Sequence, residues 1–253
     1  MQIASLCAIF WRLKISVVIP AFNEEKLIAA SLVAVRNAMR AYLDRGWETE
    51  LIFCENNSTD RTAELARAAG ATVVFEPINQ IGRARNRGAE AATGDWLVFV
   101  DADTHPTREL FADTADVFQS GKYLYGGSTV RMEPPDLAAR ALTRYWNFIS
   151  RVAKLAPGAF IFCETAAFRK LGGFDLNLFA TEELDLCKRL KVIARATGKK
   201  AVILHRHPIV SSARKSYLYS RTELFWFILR AIVFTRRTVR DRDACFAWYD
   251  GRR

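Results

Sequence analysis

The chain has 253 residues, 51% of them hydrophobic and 25% charged, which excludes a disordered chain and suits one large globular domain with a sizeable core. The net charge of +10 points to an anionic partner: nucleic acid, an acidic membrane surface or a phosphate-bearing substrate. Between His205 and Arg253 eleven lysines and arginines stand against four acids, so most of the excess lies in the last fifth of the chain. The five cysteines (Cys7, Cys54, Cys163, Cys187 and Cys245) are scattered and form no CxxC pair. They read as buried free thiols in a reducing compartment rather than as zinc ligands or a disulfide framework.

Residues 1–14 (MQIASLCAIFWRLK) are apolar but lack a preceding basic region and a small-residue cleavage site, so they read as a surface anchor or disordered start, not a secretory signal. The sequence offers no uncharged apolar run of the roughly 18–20 residues that span a bilayer. The β-branched run Ile15–Ile19 reads as a buried parallel strand ending at Pro20. A helix is expected from Glu25 to about Leu43, with Leu27, Ala30, Leu32, Val35 and Met39 on its apolar side. Glu50–Cys54 is a second strand, Ser58 caps the next helix, and Gly70 ends it. Ala71–Phe75 is a third strand, Gly82–Ala92 a helix, and Trp96–Val100 a fourth strand that runs into Asp101.

This alternation implies βαβ units, with polar residues after the strands converging at one rim of a parallel sheet. Beyond residue 120, strands are expected at Tyr123–Met132, Ala159–Cys163 and Ala201–Leu204. Helices are expected at about Leu137–Lys154, Glu182–Ala196 and Tyr217–Arg240. The parsing is an N-terminal apolar segment (1–14), one α/β domain (15–215), and a basic amphipathic C-terminal helix and tail (216–253).

Asp101-Ala102-Asp103 places two carboxylates just past a buried strand, where they can face one hard cation such as Mg²⁺ or Mn²⁺. The pattern alone is also that of a solvated turn. Its neighbours decide: VVIPAFNEE (17–25), ENNSTD (55–60), GRARNRG (82–88), GDWLVFVDAD (94–103), LGGFD (171–175) and TEELDLCKRL (181–190) occur in that order. Over roughly residues 15–215 the ordered set resembles family 2 glycosyltransferases of the GT-A fold, an open, twisted, mostly parallel Rossmann-like sheet flanked by helices.

The resemblance implies an inverting, metal-dependent hexosyl transfer from a UDP- or GDP-sugar. It implies nucleotide-sugar contacts from Pro20, Phe22, Glu24, Glu55, Asn56, Asp101 and Ala102, and from Arg85 to the base or diphosphate. Relatives more often carry Asp-Asp-Gly-Ser where this chain has Glu55-Asn56-Asn57-Ser58. It further implies Asp103 as the main metal ligand, with Asp101 nearer the ribose or a metal-bound water and His205 or His207 completing the shell. The Glu182-Glu183 pair matches an acid pair whose second member is the general base; because Glu is longer than Asp, the register could fall to Glu182 instead. Asp185 supports the site or caps the helix. Arg214 and Lys215, in a serine-arginine segment, match a diphosphate clamp. A processive Gln-x-x-Arg-Trp motif is absent, which favours transfer of a single sugar.

Leu224–Phe234 (LFWFILRAIVF) is apolar apart from Arg230 and is followed by four arginines. It suits a membrane interface, a cover for the core or a homodimer contact. In the first case the protein sits in the cytoplasm, peripheral to the inner face of the membrane, and the acceptor could be a lipid. Two other functions compete. A sugar nucleotidyltransferase would open with a glycine-rich loop, where this chain has PAFNEE. A non-catalytic membrane- or nucleic-acid-binding protein has only the charge in its favour, and no nucleic-acid module is evident.

Overall fold

The computed structural model describes residues 12–133, 137–212, 238–245 and 249. Among them the chain runs β1 (Lys14–Ala21), α1 (Ile28–Leu43), β2 (Glu48–Glu55), α2 (Thr62–Ala68), β3 (Thr72–Phe75), α3 (Ile81–Ala91), β4 (Trp96–Val100), β5 (Thr104–His105), α4 (Arg108–Gln119), β6 (Tyr123–Glu133), α5 (Leu137–Ala153), β7 (Phe160–Glu164), α6 (Thr165–Lys170), α7 (Glu182–Ala196) and β8 (Lys200–Ser212). The strands form one sheet in the order β3-β2-β1-β4-β7-β6-β8-β5. The first four are parallel. Beyond β4 the sheet is mixed: β7 is antiparallel to both neighbours, β6 and β8 are parallel, and β5 is antiparallel to β8.

Period-2 alternation in the central strands feeds two cores, one on each face. In β4, Trp96, Val98 and Val100 pack on the side of α1 and α4, while Leu97 and Phe99 pack on the side of α3, α6 and α7. Because both faces are covered, the strand reads as an uninterrupted apolar run. β1 continues through Pro20, paired with Cys54 of β2, because its pairing with β4 has already ended at Val18. The missing proline N–H therefore breaks no ladder on that side.

Several expectations are corrected. The inward face of α1 carries Ile28, Ser31, Leu32, Val35 and Met39, while Ala30 is exposed and Leu27 only half-buried. Ser58 caps no helix; its hydroxyl accepts from the Asn23 amide, and α2 starts four residues later. α4 and α6 were not foreseen. The last core strand is thirteen residues rather than four, because β8 keeps its parallel pairing with β6 across an irregularity between Ser128 and Val130 that absorbs His205–Pro208. Cys54, Cys163, Cys187 and Cys245 are buried free thiols, as expected. The expected C-terminal helix lies largely outside the described residues, but Val239 and Cys245 pack with Leu178 and Ala180 against the domain.

Gly88 marks the closest approach of α3 to β1: a Cβ there would meet Val18 Cγ1 at 2.4 Å. Gly88→Ala is expected to destabilise by about 1–3 kcal/mol through overpacking. Urea denaturation checks this, with Val18→Ala in the same chain expected to relieve part of the loss.

Candidate active site

The site forms where β1, β2 and β4 end. A cleft there is lined by Pro20, Phe22, Glu24, Asn56, Asp101, Ala102 and Asp103, so the sequence-expected residues from three separate segments converge. Ala21, Asn79, Ile81, Ala84 and Tyr249 complete the lining and do not stand out in the sequence. Asn23 and Asn57 take left-handed φ values of 52° and 64°, conformations that Asn tolerates, and turn the chain sharply at the two strand ends. The Asn23 carboxamide oxygen accepts from the Thr59 amide at 2.8 Å, tying the β1 loop to the β2 loop.

Glu55 and Asn56 are both buried, but their side chains are committed to the protein. A Glu55 carboxylate oxygen accepts from the Ser58 amide. Asn56 donates to the carbonyls of Glu76 (3.1 Å) and Ile78 (2.7 Å) and accepts from the Gln80 amide at 3.0 Å. Its amide therefore shapes the loop that forms one wall of the cleft.

Arg85 lies beneath the cleft rather than in it. It is 1% exposed, and its guanidinium donates to Glu182 Oε1 at 2.6 Å, to Asp101 Oδ1 at 2.9 Å and to the Gly158 carbonyl at 3.0 Å, with the Phe174 ring 5.3 Å away. The expected contact with a base or diphosphate is thus replaced by a brace between two acids 81 positions apart in the chain. Burial works to lower the Arg85 pKa, but the charges of Asp101, Glu182 and Glu183 outweigh it and push the pKa up. The cation is permanent.

Glu182 and Glu183 open α7, where the helix N-terminus favours negative charge. Burial raises the pKa of Glu182, while Arg85 opposes the rise. Burial also raises that of Glu183, and the neighbouring Glu182 charge adds to the rise. Glu182 therefore holds the arginine, and Glu183, half-buried, is the acid held as a high-pKa group. The approach to α7 is fixed from α3: Gln80 donates to the carbonyls of Leu176 and Leu178, both at 2.9 Å, and Asn86 bonds both backbone groups of Phe174. Asp185 accepts from Arg189 at 2.6 Å, and Arg189 in turn donates to the carbonyls of Leu171 and Gly173. Arg83 and Arg87 stay on the surface side of α3, bonded to Gln80 and Glu90.

Asp103 lines the cleft, and among the described residues its carboxylate has no hydrogen-bond or ion-pair partner. Carboxylate oxygens open to the cleft are hard donors of the kind that suit a divalent cation. The two histidines are not brought to it. Asp103 meets β8 at Ser212, whose amide donates to the Asp103 carbonyl. His207 lies five residues back along β8, up to about 16 Å away at about 3.3 Å per residue, and is bonded to Asp113 of α4 at 3.0 Å. His205 is exposed on that far side, beside Asp113 and Asp116. Among the described residues no three His, Cys, Asp or Glu side chains gather as a metal cluster. Arg214 and Lys215 lie outside the described residues.

A family model described as glycosyl transferase family 2 matches residues 16–172, well over half of the chain. An uncharacterised glycosyltransferase of Mycobacterium tuberculosis is 38% identical over 89 residues, covering 35% of this chain and 36% of its own. The match thus spans about a third of that relative's length. Among solved structures, the mannosyltransferase PcManGT of Pyrobaculum calidifontis, in complex with GDP-Man and Mn²⁺, superposes with a TM-score of 0.65 at 19% identity over 91% of this chain and 63% of its own. TarS 1–349 of S. aureus, in complex with UDP-GlcNAc, gives 0.60 at 20% identity over 87% and 65%. At these identities the likeness establishes the GT-A type fold. Together with the converging motifs, the family match leads to one conclusion: the chain belongs to glycosyl transferase family 2.

Proposed function

We propose that this protein moves a single sugar from a uridine or guanosine diphospho-sugar to an acceptor hydroxyl, with inversion at the anomeric carbon. The observation that carries the reading is the Arg85 brace, which ties Asp101 at the end of β4 to Glu182 at the start of α7 and so brings the two acidic segments together beneath the cleft. Pro20, Phe22, Glu24 and Ala102 would form the walls against the nucleoside, with the loop held by Asn56 alongside. Asp103, with Asp101 beside it, would hold Mn²⁺ or Mg²⁺, which when bound neutralises charge on the leaving diphosphate. Glu183 takes the proton from the acceptor hydroxyl as the new C–O bond forms and the bond from the anomeric carbon to the phosphate oxygen breaks. Its raised pKa suits that role, since a base poised near working pH transfers protons most effectively.

The donors bound in the structures of PcManGT and TarS motivate testing both bases. A panel of UDP- and GDP-sugars, with the configuration of the transferred sugar read by NMR, tests the reading. The expected product has the opposite anomeric configuration to the donor; a retained configuration would sink the proposed role of Glu183.

A further inference from the structure

α5 turns its apolar side away from the protein. Leu142 (61% exposed), Tyr145 (64%), Phe148 (67%) and Val152 (67%) fall within about 120° of arc on the helix. The opposite side faces inward: Ser150 is fully buried, and Asn147 bonds the Val130 backbone with both its donor and its acceptor, each at 2.9 Å. Four of the ten large hydrophobic side chains exposed among the described residues thus lie on one three-turn stripe, while most of the others are scattered singly. An isolated exposed apolar residue means little, but a contiguous helical stripe marks a contact surface.

Charge says what the contact is. α5 contains three arginines and no acid. Arg140, Arg144 and Arg151 are exposed and cluster within about 40° of arc, between the Phe148 edge of the stripe and the inward side that carries Asn147. Arg140 and Arg144 also line a cavity of about 800 Å³ between α5 and the ends of β6 and β8. A twofold contact between copies would set these arginines against one another. The segment 213–237 of the same chain carries six basic residues and one acid, so it is no better matched electrostatically. An anionic lipid surface supplies both what the stripe and what its border require: an acyl boundary for Leu142, Phe148 and Val152, a headgroup level for the Tyr145 hydroxyl, and phosphates for the arginines.

We infer that α5 is a membrane-interface helix that docks the enzyme on anionic lipid. No helix among the described residues is long and apolar enough to cross a membrane, and α5 would lie along the lipid surface with its stripe facing the acyl boundary. The inference is independent of the sugar-transfer reading, because binding is measured without donor or metal.

The test is flotation of the full chain with phosphatidylcholine vesicles and with vesicles containing phosphatidylglycerol. Wild type should float only with the anionic vesicles and should be released by salt. Leu142→Ser/Phe148→Ser and Arg140→Gln/Arg144→Gln should each weaken binding roughly tenfold. Thermal unfolding should stay unchanged, since these are surface positions. The inference is overturned if wild type fails to float, if it binds neutral vesicles equally, or if both variants bind as wild type does, which would assign binding to another segment. It is equally overturned if Leu142→Ser/Phe148→Ser only converts a dimer to a monomer by light scattering while flotation is unchanged.

Discussion

Arg85→Met is expected to lower folding stability by about 3–5 kcal/mol, because it leaves the buried Glu182 carboxylate without its partner. Sugar transfer should fall below detection even under conditions where the variant is folded. The reason is geometric: one guanidinium fixes Asp101, Glu182 and the Gly158 carbonyl at once. The double variant Arg85→Met/Glu182→Met separates stability from function. Replacing both members of a buried pair by apolar groups is often close to neutral, so stability should largely return while activity does not. Urea unfolding and transfer assays on the two variants check this. If activity returns together with stability, Arg85 serves folding alone.

Glu183→Gln is expected to reduce kcat by about 10²–10⁴-fold while leaving nucleotide-sugar affinity nearly unchanged, as for loss of a general base. Glu182→Gln provides the contrast. In the wild type, burial and the Glu182 charge lift the Glu183 pKa above the ordinary value of about 4.3. The base works only when ionised, so the rate should rise with pH through that elevated pKa. Removing the neighbouring negative charge removes one cause of the elevation, so in Glu182→Gln the acidic limb of the kcat profile should move to lower pH. An inactive Glu182→Gln beside an active Glu183→Gln would reverse the assignment.

The parallel half of the fold is legible in the sequence because β1, β2 and β4 are covered on both faces and therefore read as plain apolar runs. β4 and α7 have the bounds their sequences suggest. The rest depends on tertiary pairing. β8 hides behind His205-Arg206-His207-Pro208, which look like a loop but sit where the strand steps past β6. α4 carries its apolar residues, among them Leu110, Phe111, Ala115 and Phe118, on a single face, yet it follows the acidic turn so closely that it is easily read as loop. In the site, strand ends could be foreseen to converge, since parallel strands present the residues after them at one rim. Partners could not. Arg85 reads as a ligand contact because nothing local reveals that Glu182 lies 97 residues on and Asp101 sixteen. The histidines read as metal ligands because their place depends on the β5–β8 register, which brings Ser211 to Thr104 and leaves His207 with Asp113. Gln80 and Asn86 carry a faint signal, as amides flanking the Arg85 segment; their task of holding the Phe174–Leu178 loop does not appear in the sequence.

Calorimetric titration of UDP- and GDP-sugars into the wild type and into Asp103→Ala, with and without Mn²⁺, tests the central claim most directly. The account predicts Mn²⁺-dependent binding of one nucleotide-sugar class to the wild type and loss of that dependence in Asp103→Ala. Binding that ignores the metal in the wild type, or that survives with its metal dependence intact in Asp103→Ala, would contradict it.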